Sequence, residues 1–259
     1  VNPTATPRAR RAHDWIVGAP RRGGTPTVRL FCLPYAGGGS SAYAGWQEAL
    51  GGAVDVCPVE LPGRQTRWRD PAYTRVGPLV EALASALTGE LDVPYALFGH
   101  SMGGLVAFEL ARELRRRGAG LPRVLFVAGA LAPQLRRAAP DIHDQPDRLV
   151  VERLRRLGGL DEEIVAEPEL LELLLPTIRA DFSICETYEH RPEPPLPCPV
   201  VAFAGDEDDE VPPERVAPWR DHTAAGFTLH VLPGGHFFPR TARAALLTIV
   251  RATLSPCRS

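Results

Sequence analysis

Residues 93–108 read VPYALFGHSMGGLVAF, and the fold turns on how that stretch is read. An uncharged apolar run leads into the motif Gly99-His100-Ser101-Met102-Gly103, which fits G-x-S-x-G, and a second apolar run leaves it. A short strand before such a motif and a helix after it describe a sharp turn that lifts the serine above the edge of a sheet. Residues 95–98 supply the strand. Val106, Leu110 and Leu114 recur at four-residue spacing and give the helix one apolar stripe. Glu113 and Arg117 form an i,i+4 pair on its outer side, and Gly118 is a fitting C-terminal stop.

Five further apolar runs lie outward from this turn, at residues 28–33, 54–60, 124–128, 200–204 and 228–232. Most are continuous rather than alternating, as expected of strands buried on both faces of a parallel sheet. Helical patterns separate them, so the order is β-α-β-α and the class is α/β. The last helix, around 242–254, carries Leu246, Leu247 and Val250 on one face. One region breaks the alternation. Residues 138–197 hold no convincing strand but two helical patterns, 148–157 and 169–188, and Pro176 is expected to kink or split the second. Between Asp141 and Glu189 there are 13 acidic residues and 5 arginines, a net of about −8. A helical insertion of this size between two strands is expected to serve as a lid over a site; a pair of ordinary outer helices is the alternative.

With 259 residues and 44% hydrophobic content, the chain can bury a sizeable core. A net charge of −2 argues against general nucleic-acid binding. Every basic side chain other than histidine is arginine, from which no function follows. The longest uncharged apolar run, 124–133, is far short of the roughly 20 residues that span a bilayer. Cys32, Cys57, Cys185, Cys198 and Cys257 are scattered without a C-x-x-C pair, so neither a zinc site nor a disulfide framework is indicated, and a reducing cytoplasm is expected. Residues 1–26 are basic without an apolar signal core and read as a flexible leader, with residues 27–259 as the domain.

Ser101 needs a base and a group to orient that base. A serine acting only as a helix N-cap is the alternative. Of seven histidines, His236 in LPGGHFF lies just past the last strand, on a loop that two glycines leave free to reach the active edge. His100 adjoins Ser101 and is expected to point away from it. The acid falls in FAGDEDDEVP, where Asp206, Asp208 and Asp209 all leave the carboxyl end of a strand, and periodicity does not choose among them. The order Ser, Asp, His is that of the α/β-hydrolases. The backbone N–H of Met102 is one candidate oxyanion donor. A second should come from the loop LPYAGGGSSAY, which lacks both the G-K-[ST] ending of a P-loop and the spacing of a dinucleotide site.

FCLPYAGGGSSAY, VELPGRQTR, LFGHSMGGLVAFELAREL, LLPTIRADFSICETY and LPGGHFF, in that order across about residues 27–254, resemble the type II thioesterases of polyketide and nonribosomal peptide synthesis. The resemblance implies an α/β-hydrolase fold with a mobile lid. It implies Ser101 as nucleophile, His236 as base, Asp208 as acid through the pattern F-x-G-x-x-D-x-x-V, and the N–H groups of Ala36 and Met102 as oxyanion donors. Asp209 is an additional acid beside that pattern. The implied reaction is hydrolysis of acyl groups from the phosphopantetheine arm of an acyl or peptidyl carrier protein, an editing role. No cofactor or metal is implied, because phosphopantetheine arrives with the substrate. A monomer is expected, with no nucleic-acid or membrane partner. A synthase-terminal releasing domain, a general carboxylesterase and a catalytically silent binding protein are the alternatives. The arginine groups 64–75 and 112–117 are candidates for carrier docking, solvated faces being the alternative.

Overall fold

Each residue of β3 (Tyr95–His100), β4 (Leu125–Ala128) and β5 (Val200–Gly205) is buried. This is why their sequences are continuous apolar runs. In the computed structural model, which describes residues 15–18, 26–135, 140–159 and 167–255, these strands form the middle of one sheet. β1 (Val28–Leu33) and β2 (Val54–Pro58) extend it on one side and β6 (Phe227–Leu232) on the other, in the order β2-β1-β3-β4-β5-β6, with every pair parallel. β6 is an edge strand and is only partly buried, with Val231 50% exposed. The expected strands therefore form, although β2 ends at Pro58. Val59 makes an isolated antiparallel bridge to Ile16, and Glu60 lies beyond it.

Helices α2 (Val76–Leu87) and α3 (Met102–Arg116) cover one face, placing Leu79, Leu83, Val106, Leu110 and Leu114 in one apolar cluster. On the other face, α1 (Trp46–Leu50) and α8 (Arg243–Leu254) bury Trp46, Leu246, Leu247 and Val250. Burying each such side chain is worth about 1.5–3 kcal/mol. Gly118 takes a φ of +65° two residues past the end of α3, and Glu113 pairs with Arg117 at 2.6 Å. Short helices α6 (Pro213–Val216) and α7 (Phe238–Thr241) complete the carboxyl side.

Between β4 and β5 the described chain forms α4 (Asp147–Leu157) and α5 (Pro168–Glu186). They share a separate apolar cluster that includes Val150, Leu154, Ile178 and Phe182. Contrary to the expectation of a split, α5 runs through Pro176. Burial of Leu175 and Ile178 and an ion pair at Asp181 hold the turns on either side of it, which outweighs one missing backbone hydrogen bond.

A second difference lies at the amino end. Residues 1–14 and 19–25 of the expected leader lie outside the described residues, but 15–18 are built into the domain. Trp15 is buried beneath the Arg67 guanidinium, 4.1 Å from its ring centroid. Its carbonyl accepts from Glu60 N–H, and Val17 N–H donates to Pro58 O. The apolar triplet Trp-Ile-Val thus flanks β2. Among the described residues no helix is long and apolar enough to cross a membrane.

β1 and β3 are neighbours, but the chain leaves them in opposite directions across the sheet, toward β2 and toward β4. Their carboxyl ends therefore frame the crevice where open α/β sheets place ligands. Leu33 is in register with Gly99, which sets the glycine loop after β1 beside the turn after β3.

Candidate active site

Ser101 sits on the turn from β3 into α3 with φ +54° and ψ −116°. A positive φ costs a residue with a Cβ about 1–3 kcal/mol. Its N–H donates to Ala128 O at 2.8 Å, and its carbonyl accepts from Gly104 N–H at 2.9 Å. The flanking glycines are steric necessities. A Cβ on Gly99 would lie 2.1 Å from Gly103 O, and one on Gly103 would lie 2.1 Å from Leu33 O. The backbone crossing that exposes the serine leaves no room for either.

His236 follows β6, on a loop held by a hydrogen bond from Gly234 N–H to Asp206 Oδ1 at 2.8 Å. Its Nε2 lies 2.9 Å from Ser101 Oγ, and its Nδ1 lies 2.9 Å from Asp208 Oδ2. A carboxylate only accepts, so Nδ1 carries the proton of the neutral ring and Nε2 is free to accept from the serine hydroxyl. Asp208 is 3% exposed. Its Oδ1 accepts from the N–H groups of Glu210 and Val211, at 3.0 Å each. Burial pushes its carboxyl up, but the His236 hydrogen bond and charge, with those two N–H groups, hold it below the usual carboxylate range. Asp206 and Asp209 are exposed. The structure thus brings Ser101, His236 and Asp208 into one hydrogen-bonded chain and leaves the neighbouring acids out of it.

Ser101 and His236 open onto a cavity of ≈ 710 Å³ that Ala36 and Met102 also line. Among the described residues, neither Ala36 N–H nor Met102 N–H donates an internal hydrogen bond. Leu105, Phe182 and Cys185 contribute to its wall, so α5 closes one side of it. At the end of α5 the Glu186 carboxylate, fully buried, accepts from Ile142 N–H, His143 N–H and His143 Nδ1.

Several supporting residues are not evident from sequence patterns. His100 does point away from Ser101: its ring packs against Tyr35 and Phe237, and Nε2–H donates to His236 O at 2.8 Å. Burial and the nearby His236 ring lower its pKa to about 3, so it stays neutral. Glu60, 1% exposed, accepts from Ser40 N–H and Thr66 N–H. Arg64 grips Asp181 with two hydrogen bonds.

The two arginine groups suggested for docking are largely occupied. Arg64 and Arg67 are buried, Arg67 on Asp70 and Glu60 O. Arg112, Arg115 and Arg116 all pair with Glu193, and Arg117 pairs with Glu113.

A family model described as a thioesterase domain matches residues 28–254. The protein named linear gramicidin dehydrogenase LgrE, from Brevibacillus parabrevis, is 41% identical over 243 residues, covering 93% of this chain and 92% of its own. Among solved structures, the RedJ thioesterase from the prodiginine biosynthetic pathway in Streptomyces coelicolor is 45% identical, with a TM-score of 0.84 over 88% of this chain and 87% of that one. The type II thioesterase BorB from the borrelidin biosynthetic cluster is 38% identical, with a TM-score of 0.84 over 93% of this chain and 98% of that one.

Proposed function

The chain belongs to the thioesterase domain family, and from that premise we propose that it is an editing serine thioesterase of polyketide or nonribosomal peptide synthesis. Its substrates are acyl groups on the phosphopantetheine arm of acyl or peptidyl carrier proteins. The observation that carries the reading is the chain of hydrogen bonds from Ser101 through His236 to Asp208 on the floor of a cavity closed on one side by α5.

His236 Nε2 takes the Ser101 proton as Oγ attacks the thioester carbonyl. The imidazolium that forms is stabilised by Asp208, which the two backbone N–H groups keep ionised and oriented. The carbonyl oxygen becomes anionic and is met by Met102 N–H, at the amino end of α3, and by Ala36 N–H. Collapse expels the pantetheine thiol, protonated by His236, and leaves acyl-Ser101. A water deprotonated by His236 then attacks this ester, and the free acid and serine are restored. The nucleophile, the base, the acid and both oxyanion donors come from the chain, so these steps call for no metal or cofactor.

The described part of the helical region 138–197 acts as the lid of this cavity. Its apolar cluster joins α4 to α5, while Ile184 near the end of α5 belongs to the core cluster shared with α2 and α3. The enzyme works as a monomer in the cytoplasm, where the buried thiols of Cys32, Cys57 and Cys198 remain reduced. The dehydrogenase in one relative's name has no counterpart here. The loop after β1 carries three consecutive glycines rather than G-x-G-x-x-G, and the N–H groups of Gly37 and Gly38 donate to Asp181 and Tyr35 O.

Carrier proteins loaded with different acyl chains, incubated with wild type and Ser101→Ala and read by mass spectrometry, test the proposal. Wild type should strip one or more of them and the variant none. If wild type strips none, the thioesterase reading fails.

A further inference from the structure

The loop that carries Ala36 is held by an ion pair that neither the catalytic chain nor the cavity accounts for. Arg64 and Asp181 are 6% and 1% exposed and 117 positions apart in sequence. Arg64 Nη1 and Nη2 donate to Asp181 Oδ2 and Oδ1 at 2.7 and 2.8 Å, a two-pronged contact that fixes both side chains in one plane. Arg64 Nε and Nη2 in addition donate to Pro62 O at 3.4 Å, and each partner also reaches the glycine loop. Asp181 Oδ2 accepts from Gly37 N–H at 2.7 Å, and Arg64 Nη1 donates to Gly38 O at 2.7 Å. Gly38 N–H closes the turn onto Tyr35 O at 2.9 Å. Gly37 has φ +79°, and a Cβ there would sit 3.0 Å from Ile178 Cγ1, so α5 is pressed directly against the turn.

This arrangement sorts the backbone donors of the loop. The N–H groups of Gly37, Gly38 and Ser40 are all committed internally, whereas Ala36 N–H, at the cavity wall, is not. The geometry points to Arg64 and Asp181 as positioning residues for catalysis: they fix the turn so that Ala36 N–H, and not Gly37 N–H, faces the oxygen that becomes anionic at Ser101. The inference rests on the thioesterase reading and deepens it. It also ties the oxyanion site to α5, because Asp181 lies on the helix that walls the cavity, so displacement of α5 would withdraw the donor.

The test uses an acyl N-acetylcysteamine thioester as substrate and a trifluoromethyl ketone as a mimic of the tetrahedral adduct. Replacing a buried ion pair by apolar residues of similar volume often leaves stability unchanged, so the double variant Arg64→Met/Asp181→Leu removes both loop contacts while keeping the core filled. Loss of one oxyanion donor lowers kcat by about 10²–10³-fold. The double variant should lose about 10²-fold in kcat with KM within about twofold of wild type. Affinity for the ketone should fall in step, and the pH profile of kcat should be unmoved. If the double variant does not fold, Asp181→Asn, which keeps the shape but faces Arg64 with an amide N–H, is read for the same split. A folded variant with wild-type kcat, or a loss confined to KM, overturns the inference. Wild type without turnover that depends on Ser101 overturns the thioesterase reading and this inference together.

Discussion

His100 Nε2–H donates to the carbonyl oxygen of His236 at 2.8 Å, so the residue beside the nucleophile holds the backbone of the base. The two rings are 5.4 Å apart, and a charged His100 would face the imidazolium that forms on His236. Neutrality of His100 is therefore part of the site. Replacing His100 by Phe leaves His236 O buried without its donor, a loss of about 1–3 kcal/mol. Gln offers an amide N–H in its place. His100→Phe should lower both thermal stability and kcat, with His100→Gln recovering part of each; equal behaviour of the two variants would remove the hydrogen bond from the explanation.

The same residue gives the folded protein a pH signature. Folded His100 stays neutral down to about pH 3, while in the unfolded chain an imidazole takes up a proton below about pH 6.5. Between those values the unfolded state binds more protons, so stability falls as pH falls. From pH 7 to pH 5 the loss from this one group is about 2 kcal/mol. Urea unfolding of wild type and His100→Gln at both pH values should show the wild type losing more by about that amount. Parallel losses would mean that His100 is protonated in the folded state.

Asp208 separates from its neighbours by what it touches. Asp208→Asn keeps the shape but allows the wrong imidazole tautomer, and a loss of about 10³–10⁴-fold in kcat is expected. Asp209→Asn changes an exposed acid and should leave kcat within about twofold. Asp206→Ala removes the acceptor of the Gly234 N–H hydrogen bond and so loosens the His236 loop; its effect should lie between the two. Turnover of the three variants on a soluble thioester gives the order, and a larger loss at Asp209 than at Asp208 would reassign the acid.

The strands and the serine turn are legible in the sequence because their causes are local. Burial on both faces writes itself as a continuous apolar run, and the crossing at Ser101 demands Gly99 and Gly103 whatever the rest of the chain does. Residue patterns narrow the acid only to a cluster, since Asp206, Asp208 and Asp209 leave the same strand and only the turn that points Asp208 inward separates them. His100, Arg64 and Asp181 leave no local trace, because their partners lie 136 and 117 positions away. Trp15 reads as leader because basic and proline-rich residues surround it, although Ile16 and Val17 with it form an apolar triplet that fits the sheet edge.

The glycines of the turn yield a sharper contrast. Gly99→Ala and Gly103→Ala would each drive a Cβ to 2.1 Å from a backbone oxygen, and backbone cannot move aside as a side chain can. Each should cost at least about 1–3 kcal/mol and abolish labelling by a fluorophosphonate. Gly52, where an added Cβ would meet nothing within 4 Å, should accept Ala within about 0.5 kcal/mol. Chemical unfolding and labelling of all three variants check this; normal labelling of Gly103→Ala would show that the turn can relax.

The arginines of α3 are expected to act on stability rather than on the carrier. Arg115 donates to Pro194 O and Pro195 O and pairs with Glu193 at 2.7 Å; Arg116 pairs with both Glu193 and Glu113. Together with Arg112, which donates to Arg191 O, they fasten the segment that returns the chain from α5 to β5. Exposed ion pairs contribute about 0.2–1 kcal/mol each, more when several share one partner. At about 2–4 °C per kcal/mol for a chain of this size, Arg115→Glu/Arg116→Glu should lower Tm by several degrees and lose part of that effect in high salt. Its kcat/KM should stay near wild type on both an acyl-carrier substrate and a small thioester. A rise in KM restricted to the carrier substrate, with Tm unchanged, would instead make this face the docking surface.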